Sequence, residues 1–380
     1  MKAFDVPTFR EALSRQLILR WNFLCTDAKN IYWVHNGVVA RRAEGYDWRK
    51  PVPGWTKDTE WGPYLPFSAN PQLFNPPSGF VQNCNNPPWV ATRNSGLKPL
   101  EPASYYLESQ PRANAGEEVL NTRGERIFGV LTRPNAKFTL QQMMNLGLDT
   151  YILAADVIVP LFTETLRRKQ PIEDARMLHA VQVLANWNRR ATKDSPAYTY
   201  LFYWAKAYRR LFSDRAFDRF TDLRRYEIDV HSRREQERAW LGLREAVNGI
   251  QAKFGKIDVP WGTINVVLRG GVFPLDGPNA FGVLHPDEAA EQQNGRIYCD
   301  RGWGHLMVVM EGNPKQVWSL LPYGESQDVQ SRHYNDQAKL HSDEKLKPFW
   351  FKLGEILNNS ESVWGDPRRM RRLVVRARSR

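Results

Sequence analysis

The chain predicts an α+β fold, and three observations carry the prediction. The hydrophobic period is short and strand-like in RWNFLCT and IYWVHNGVVARR and again after Pro260, but helical between them. No strand–helix–strand alternation joins these stretches, so a parallel α/β sheet is not indicated. No internal repeat recurs along the 380 residues. That length buries one large core or two modest ones. Hydrophobic residues at 42% and aromatics at 12%, with 14 Trp, exclude a disordered chain.

Taken in order, Thr8 with Glu11 reads as a capping box opening FREALSRQLIL. RWNFLCT and IYWVHNGVVARR follow as strands with DAKN as their turn. From Gly45 to Pro77 the composition (GYDWRKPVPGW, EWGPYLPF, NPQLFNPPSGF) suits a long ordered loop system packed by aromatics. GFVQNCNNPPW then sets three asparagines around Cys84 before Pro87-Pro88, and a polar connection continues to about residue 115. The middle is helical. Thr139 with Gln142 caps TLQQMMNLGL, Pro171 opens IEDARMLHAVQVLANW, and Ser195 caps a helix with Pro196 at its first position. Ser232 with Glu235 caps EQERAWLGLREAVNGIQAKF, which ends against Gly255. Beyond Pro260, TINVVLRGGVF, RIYCDR, GHLMVVME and QVWSLLPYG are short β-branched and aromatic runs, and HYNDQAKLHSDEKLKPFWF reads as a short helix and an extended segment.

The formal charge of +12 is unevenly placed. The tail DPRRMRRLVVRARSR holds seven Arg against one Asp, a net +6 and half of the total. Elsewhere the signs interleave, as in HSRREQER. Such a tail reads as a solvated end, with RNA or membrane-surface contact as the other reading. No zinc-finger spacing or RNP-like motif supports a nucleic-acid partner, and none is expected. No run approaches the roughly 18 apolar residues of a spanning helix. The start MKAFDVPTFREALSRQLILRW carries Asp5, Arg10, Glu11 and Arg15 and is not a signal peptide. Cys25, Cys84 and Cys299 are odd in number and widely spaced, which excludes a disulfide framework and a paired zinc site. One bridge stays open, and the compartment is undecided.

Common catalytic motifs are missing: no G-x-S-x-G elbow, no H-E-x-x-H, no phosphate-cradling loop. LRGGVFPLDG lacks dinucleotide-binding spacing. His179 and His305 read as core or rim histidines before they read as bases. The asparagine cluster has two readings. Side-chain amides bond their own backbone in turns, and a rigidly held amide can also donate to a reacting oxygen.

Three blocks resemble the β-subunit of the penicillin acylase (penicillin amidase) family, N-terminal-nucleophile amide hydrolases. The first runs from IYWVHNG through PVPGW to YLPFSANPQLFNPPSGFVQNCNN, where the family carries PVPG, LPF-x-x-x-P, NP-x-SG and N-x-N-N. The second is LHAVQVLANWNRRATKDSPAYTYLFYW, similar to a family helix pair. The third is WSLLPYGESQDVQSRHYNDQAKLHSDEKLKPFWF, close to a family ending of the form PYG-x-S-x-x-x-x-S-x-HY-x-DQ. The nearest flavour is that of the homoserine-lactone and lipopeptide acylases.

The resemblance implies part of an αββα sandwich with an inserted helical region, over residues 1–365: a β/loop part at 1–115, a helical part at 116–259, a β part at 260–350, then the Arg-rich tail at 366–380. It implies hydrolysis of an amide that joins an acyl group to an amine, in an N-acylated small molecule. The family nucleophile is the first residue of the β-subunit, a Ser exposed by autocatalytic cleavage, whose own α-amine is the base. The oxyanion is held by a backbone N–H and an Asn amide, which falls on Asn85. An arginine that organises the nucleophile end and this Asn falls on Arg126, with Arg123 as the competing choice. A side chain of the acyl pocket falls near Trp21, which otherwise reads as core.

Family β-subunits run well over a hundred residues before the VHNG-like strand, which here begins near Ile31. The expectation is therefore a C-terminal two-thirds of a β-subunit, lacking the N-terminal core strands, the α-subunit and the nucleophile. Gly262-Thr263 is a Gly-Thr pair of the kind such cleavages use, but it follows the oxyanion Asn and lies in a strand-like segment. A complementary chain carrying the Ser is the implied partner. Calcium, common in the family, would keep here only a backbone carbonyl near Trp48, so no cofactor and no complete metal site are expected. The family is typically periplasmic or secreted. The alternative is a non-catalytic remnant that binds acylated ligands or a partner chain.

Overall fold

A computed structural model describes residues 3–18, 21–48, 50–98, 120–134, 136–221, 223–277, 281–285, 288–291, 295–312 and 314–360. The Arg-rich tail and most of the polar connection before residue 115 lie outside them. Helix and sheet mix as the sequence predicts, with three small sheets and one large helical cluster among the described residues.

Helix α1 (Val6–Ser14) is capped by Asp5, whose Oδ1 accepts the Thr8 N–H at 2.9 Å. Thr8 is therefore the third helical residue and not the cap, correcting the expected Thr8–Glu11 box. A distant contact sets that start: Asp27 Oδ2 accepts the Val6 N–H at 3.0 Å. Strands β1 (Trp21–Thr26) and β2 (Ile31–Asn36) pair antiparallel, and β3 (Gln72–Phe74) adds to the far side of β2. The period of two decides what faces where. Tyr32 and Val34 pack on Val6 and Leu13 of α1, while Trp33 packs on Leu73 and Ala91. Both outer strands leave apolar side chains in solvent, with Trp21 at 66% and Phe74 at 55% exposure.

The loop system between β2 and β3 is held mainly by backbone bonds such as Leu65 N–H to Val39 O and Gly62 N–H to Arg41 O, both 2.8 Å. Aromatic packing holds at Trp48, which meets Tyr46 edge-on and donates to Ala43 O at 2.9 Å. It fails at Trp55 and Tyr64, which are exposed.

The helical part comprises α2 (Thr122–Leu131), α3 (Leu140–Gly147), α4 (Ala155–Arg168), α5 (Ala175–Ala185), α6 (Pro196–Phe212), α7 (Asp214–Thr221) and α8 (Arg233–Phe254). The Thr139, Ser195 and Ser232 caps form as expected, and Gly255 closes α8 at φ +70°. Helix α5 is capped by Asp174, not opened by Pro171. Helices α4, α5, α6 and α8 bury one apolar cluster. Trp204 lies within 5.5 Å of the Phe162, Tyr208 and Phe220 ring centres and donates to Ala239 O at 3.1 Å. Gly242 makes that approach possible, since a Cβ there would stand 3.0 Å from the Trp204 Nε1.

TINVVLRGGVF is a hairpin and not one strand. β4 (Asn265–Leu268) turns at Gly270, φ +63°, into β5 (Val272–Pro274). With β6 (Glu288–Glu291) and β7 (Ile297–Arg301) they form a sheet in the order β5-β4-β7-β6, β4 and β7 being parallel. The third sheet joins β8 (Leu306–Met310), β9 (Gln316–Leu320) and β10 (Lys347–Pro348), with short helices α9 (Ala338–Ser342) and α10 (Leu353–Asn358) alongside in sequence. No helix among the described residues is long and apolar enough to cross a membrane.

Candidate active site

The asparagine turn is built against the start of α2. Pro87 and Pro88 are buried, and Pro88–Val90 forms a 3-10 turn. Gln82 clamps the far side: its N–H bonds Ala91 O and its Nε2 bonds Val90 O, both at 2.7 Å. Between these anchors Asn85 takes φ +60°, a left-handed conformation that Asn tolerates better than most residues. Its side chain stays exposed while Cys84 and Asn86 are buried.

Helix α2 grips this turn through three residues. Asn121 caps the helix, its Oδ1 accepting the Gly124 N–H at 2.9 Å, and its Nδ2 donates to Cys84 O at 2.6 Å. Arg123 donates from one nitrogen to Cys84 O at 3.1 Å and to Asn85 Oδ1 at 2.7 Å. Gly124 lets the helix approach, because a Cβ there would fall 2.5 Å from Asn86 Oδ1. Arg123 also decides which way the amide points. A guanidinium can only donate, so Oδ1 faces it and Nδ2, with two N–H groups, faces solvent. An amide fixed in this way can donate to a negatively charged oxygen placed on its solvent side.

The arginine that meets Asn85 is thus Arg123, and the expected placement of this contact on Arg126 is corrected. One turn along, Arg126 bonds Asp149 Oδ2 at 2.7 Å and stacks over Tyr151 at 4.4 Å. The two paired side chains are 16% and 6% exposed. Arg126 lines a cleft of about 500 Å³ with Arg133, Asp149, Arg190, Asp276 and Glu344. Trp21 is exposed at the open edge of β1 and is not a core residue.

Cys84, the thiol beside Asn85, is pushed up to about 11 by burial, so it stays protonated at neutral pH and is a poor nucleophile. All three cysteines are free. Thr263 ends the turn Trp261–Thr263 at the entry to β4, with α6 beside it. His179 is a rim residue bonded to Asp258 at 2.7 Å. His305 is exposed just before β8, not inside a strand. Around Trp48, Asp47 leans to Lys50 at 3.6 Å, and the described residues hold no group of three His, Cys, Asp or Glu able to bind a metal.

Asn121 and Gly124 escaped the sequence reading, while Asn83 stood in the asparagine cluster without its link to Asn22. Asn121 had a visible signal, since an Asn three residues before Gly124 at a helix start reads as a cap. Gly124 had none, because the Asn86 side chain it makes room for is distant in sequence.

A family model described as Penicillin amidase matches residues 1–357. Penicillin G acylase of Escherichia coli is 24% identical over 404 residues, which cover 93% of this chain and 45% of that protein. Acyl-homoserine lactone acylase PvdQ of Pseudomonas syringae pv. syringae is 23% identical over 391 residues, covering 93% and 48% respectively. The chain spans about half the length of the curated relatives it matches. A solved structure of the thermostable penicillin G acylase of Alcaligenes faecalis superposes with a TM-score of 0.55 at 16% identity, over 96% of this chain and 70% of that one. That likeness shows a shared fold.

Proposed function

Because the chain belongs to the penicillin amidase family, we propose that it forms the oxyanion-stabilising part of an acylase that cleaves the amide bond between an acyl group and an amine. The observation that carries this is the Asn85 amide, whose Oδ1 is engaged by Arg123 at 2.7 Å and whose Nδ2 is presented outward. The substrate class is an N-acylated small molecule, as the names of the relatives, a penicillin acylase and an acyl-homoserine lactone acylase, suggest.

In this reading a serine supplied by polypeptide other than residues 1–380 attacks the amide carbonyl, its α-amine taking the hydroxyl proton. Negative charge collects on the carbonyl oxygen, and Asn85 Nδ2 donates to it. Arg123 holds Oδ1 and polarises the amide, which strengthens the N–H as a donor. The proton passes to the leaving amine, and water then releases the acyl group from the serine. The three parts at 1–115, 116–259 and 260–350 act as one β-subunit-like module of an αββα sandwich. The test is to incubate the chain, with whatever polypeptide co-purifies, with an N-acylated amide and to locate the trapped acyl group by mass spectrometry. An acyl group on an N-terminal serine supports the mechanism. One on a residue of this chain refutes it.

The second reading is a non-catalytic remnant. In it the chain binds acylated ligands without cleaving them, and Asn85→Ala leaves that binding unchanged because no oxyanion forms.

A further inference from the structure

A line of hydrogen bonds reaches Asn85 at its backbone N–H, while Arg123 holds its side chain. His35 and Asn22 face each other across β2 and β1, with His35 Nδ1 2.7 Å from Asn22 Oδ1. Asn22 Nδ2 donates to Asn83 Oδ1 at 3.0 Å. The same oxygen accepts the backbone N–H of Asn85 at 3.1 Å.

The direction of the line follows from its last member. A backbone N–H can only donate, so Asn83 must present Oδ1 to it. Asn22 must then donate Nδ2 to that oxygen, which turns its own Oδ1 to His35. The imidazole is left with one role there, donation through Nδ1–H. Flipping any one amide sets donor against donor or oxygen against oxygen, so each side chain has a single orientation.

We infer that His35, Asn22 and Asn83 are positioning residues for the Asn85 donor. They hold the backbone end of the left-handed turn while Arg123 holds the side-chain end, and an amide pinned at both ends keeps its aim without reorganising during reaction. This rests on the reading of Asn85 as the oxyanion donor, and it ties that donor to the β1–β2 hairpin.

The test uses the full chain with any polypeptide that accompanies it, labelled with ¹⁵N at His and Asn. The expected results are a His35 ring protonated at Nδ1 and slow exchange of the Asn85 backbone amide. Asn22→Asp keeps an acceptor for His35 but offers no donor to Asn83, and it should speed that exchange about tenfold, as should Asn83→Ala. Asn83→Asp keeps the acceptor and should stay within about twofold of wild type. Unchanged exchange in Asn22→Asp and Asn83→Ala, or a His35 ring protonated only at Nε2, overturns the line. Turnover of an N-acylated amide is measured beside it. Asn22→Asp should lower kcat about tenfold at constant KM while Asn83→Asp does not. Altered exchange with unaltered kcat overturns the positioning role. If Asn85→Ala leaves turnover intact, the acylase reading falls instead, and the exchange data still decide whether the line exists.

Discussion

Arg123 and Arg126 sit three residues apart on α2 and should fail in different ways when truncated. Arg123 makes a charge-assisted bond to Asn85 Oδ1 at a site open to water. Such a bond is worth about 1.5–3 kcal/mol, the lower end where water can replace it, and so favours one amide orientation roughly tenfold. Without it the two orientations become nearly equal, which alone halves the competent population. Lost polarisation and looser placement add to this, giving a fall in kcat of roughly tenfold for Arg123→Ala, short of the 10²–10³ for removing such a donor. Arg126→Leu strands the Asp149 carboxylate, which is 6% exposed. Breaking a buried pair costs about 3–5 kcal/mol. Arg190 at 3.5 Å and the Tyr151 N–H at 2.7 Å remain to Asp149, so the low end, about 3 kcal/mol, applies. Turnover per folded molecule and urea denaturation, measured on both variants, separate the two roles. Turnover lost at unchanged stability in Arg126→Leu, with Arg123→Ala active, would refute the assignment.

Two further outcomes follow from the packing and the charges. Gly124→Ala should destabilise despite the better helix propensity of Ala, because the new Cβ stands 2.5 Å from Asn86 Oδ1 and 3.0 Å from Leu120 Cδ2. Overpacking at about 1–3 kcal/mol outweighs the helical gain of about 1 kcal/mol, and a melting temperature at or above wild type would sink that account. The Asp276 carboxyl is pushed up from 3.8 to about 6 by burial, then by the Glu344 charge. The folded chain therefore holds this proton after the unfolded chain has released it, so Asp276 costs stability as pH rises from about 4 to 6, and the cost persists above. Asp276→Asn keeps an acceptor for the Lys193 N–H at 2.8 Å. It should gain about 1–3 kcal/mol at pH 7 and nothing at pH 4. An equal gain at both values would contradict the linkage.

What the sequence made legible was local. The Ser195-Pro196 start of α6 and the Gly255 stop of α8 depend on residues within one turn, and both form as written. Thr8 was misplaced because two caps fit the same stretch, and the choice between them lies with Asp27, some twenty residues on. Helix α4 went unread: it is buried on much of its surface and carries Pro160 inside, so neither periodicity nor caps marked it. The asparagine turn that carries the proposed donor was marked by the N-C-N-N motif. Its arginine was not, because Arg123 and Arg126 share a face of one helix and only the Asn85 loop distinguishes them. The His35–Asn22–Asn83 line is assembled by strand pairing and a contact across sixty residues, which no local pattern encodes.

The most direct measurement is the steady-state hydrolysis of an N-acylated amide by the chain with its co-purifying polypeptide, wild type against Asn85→Ala, with folding checked by thermal denaturation. An oxyanion donor at Asn85 predicts a loss in kcat on the order of 10²–10³ with the melting temperature unchanged. Equal turnover by the two proteins would show that Asn85 holds no oxyanion.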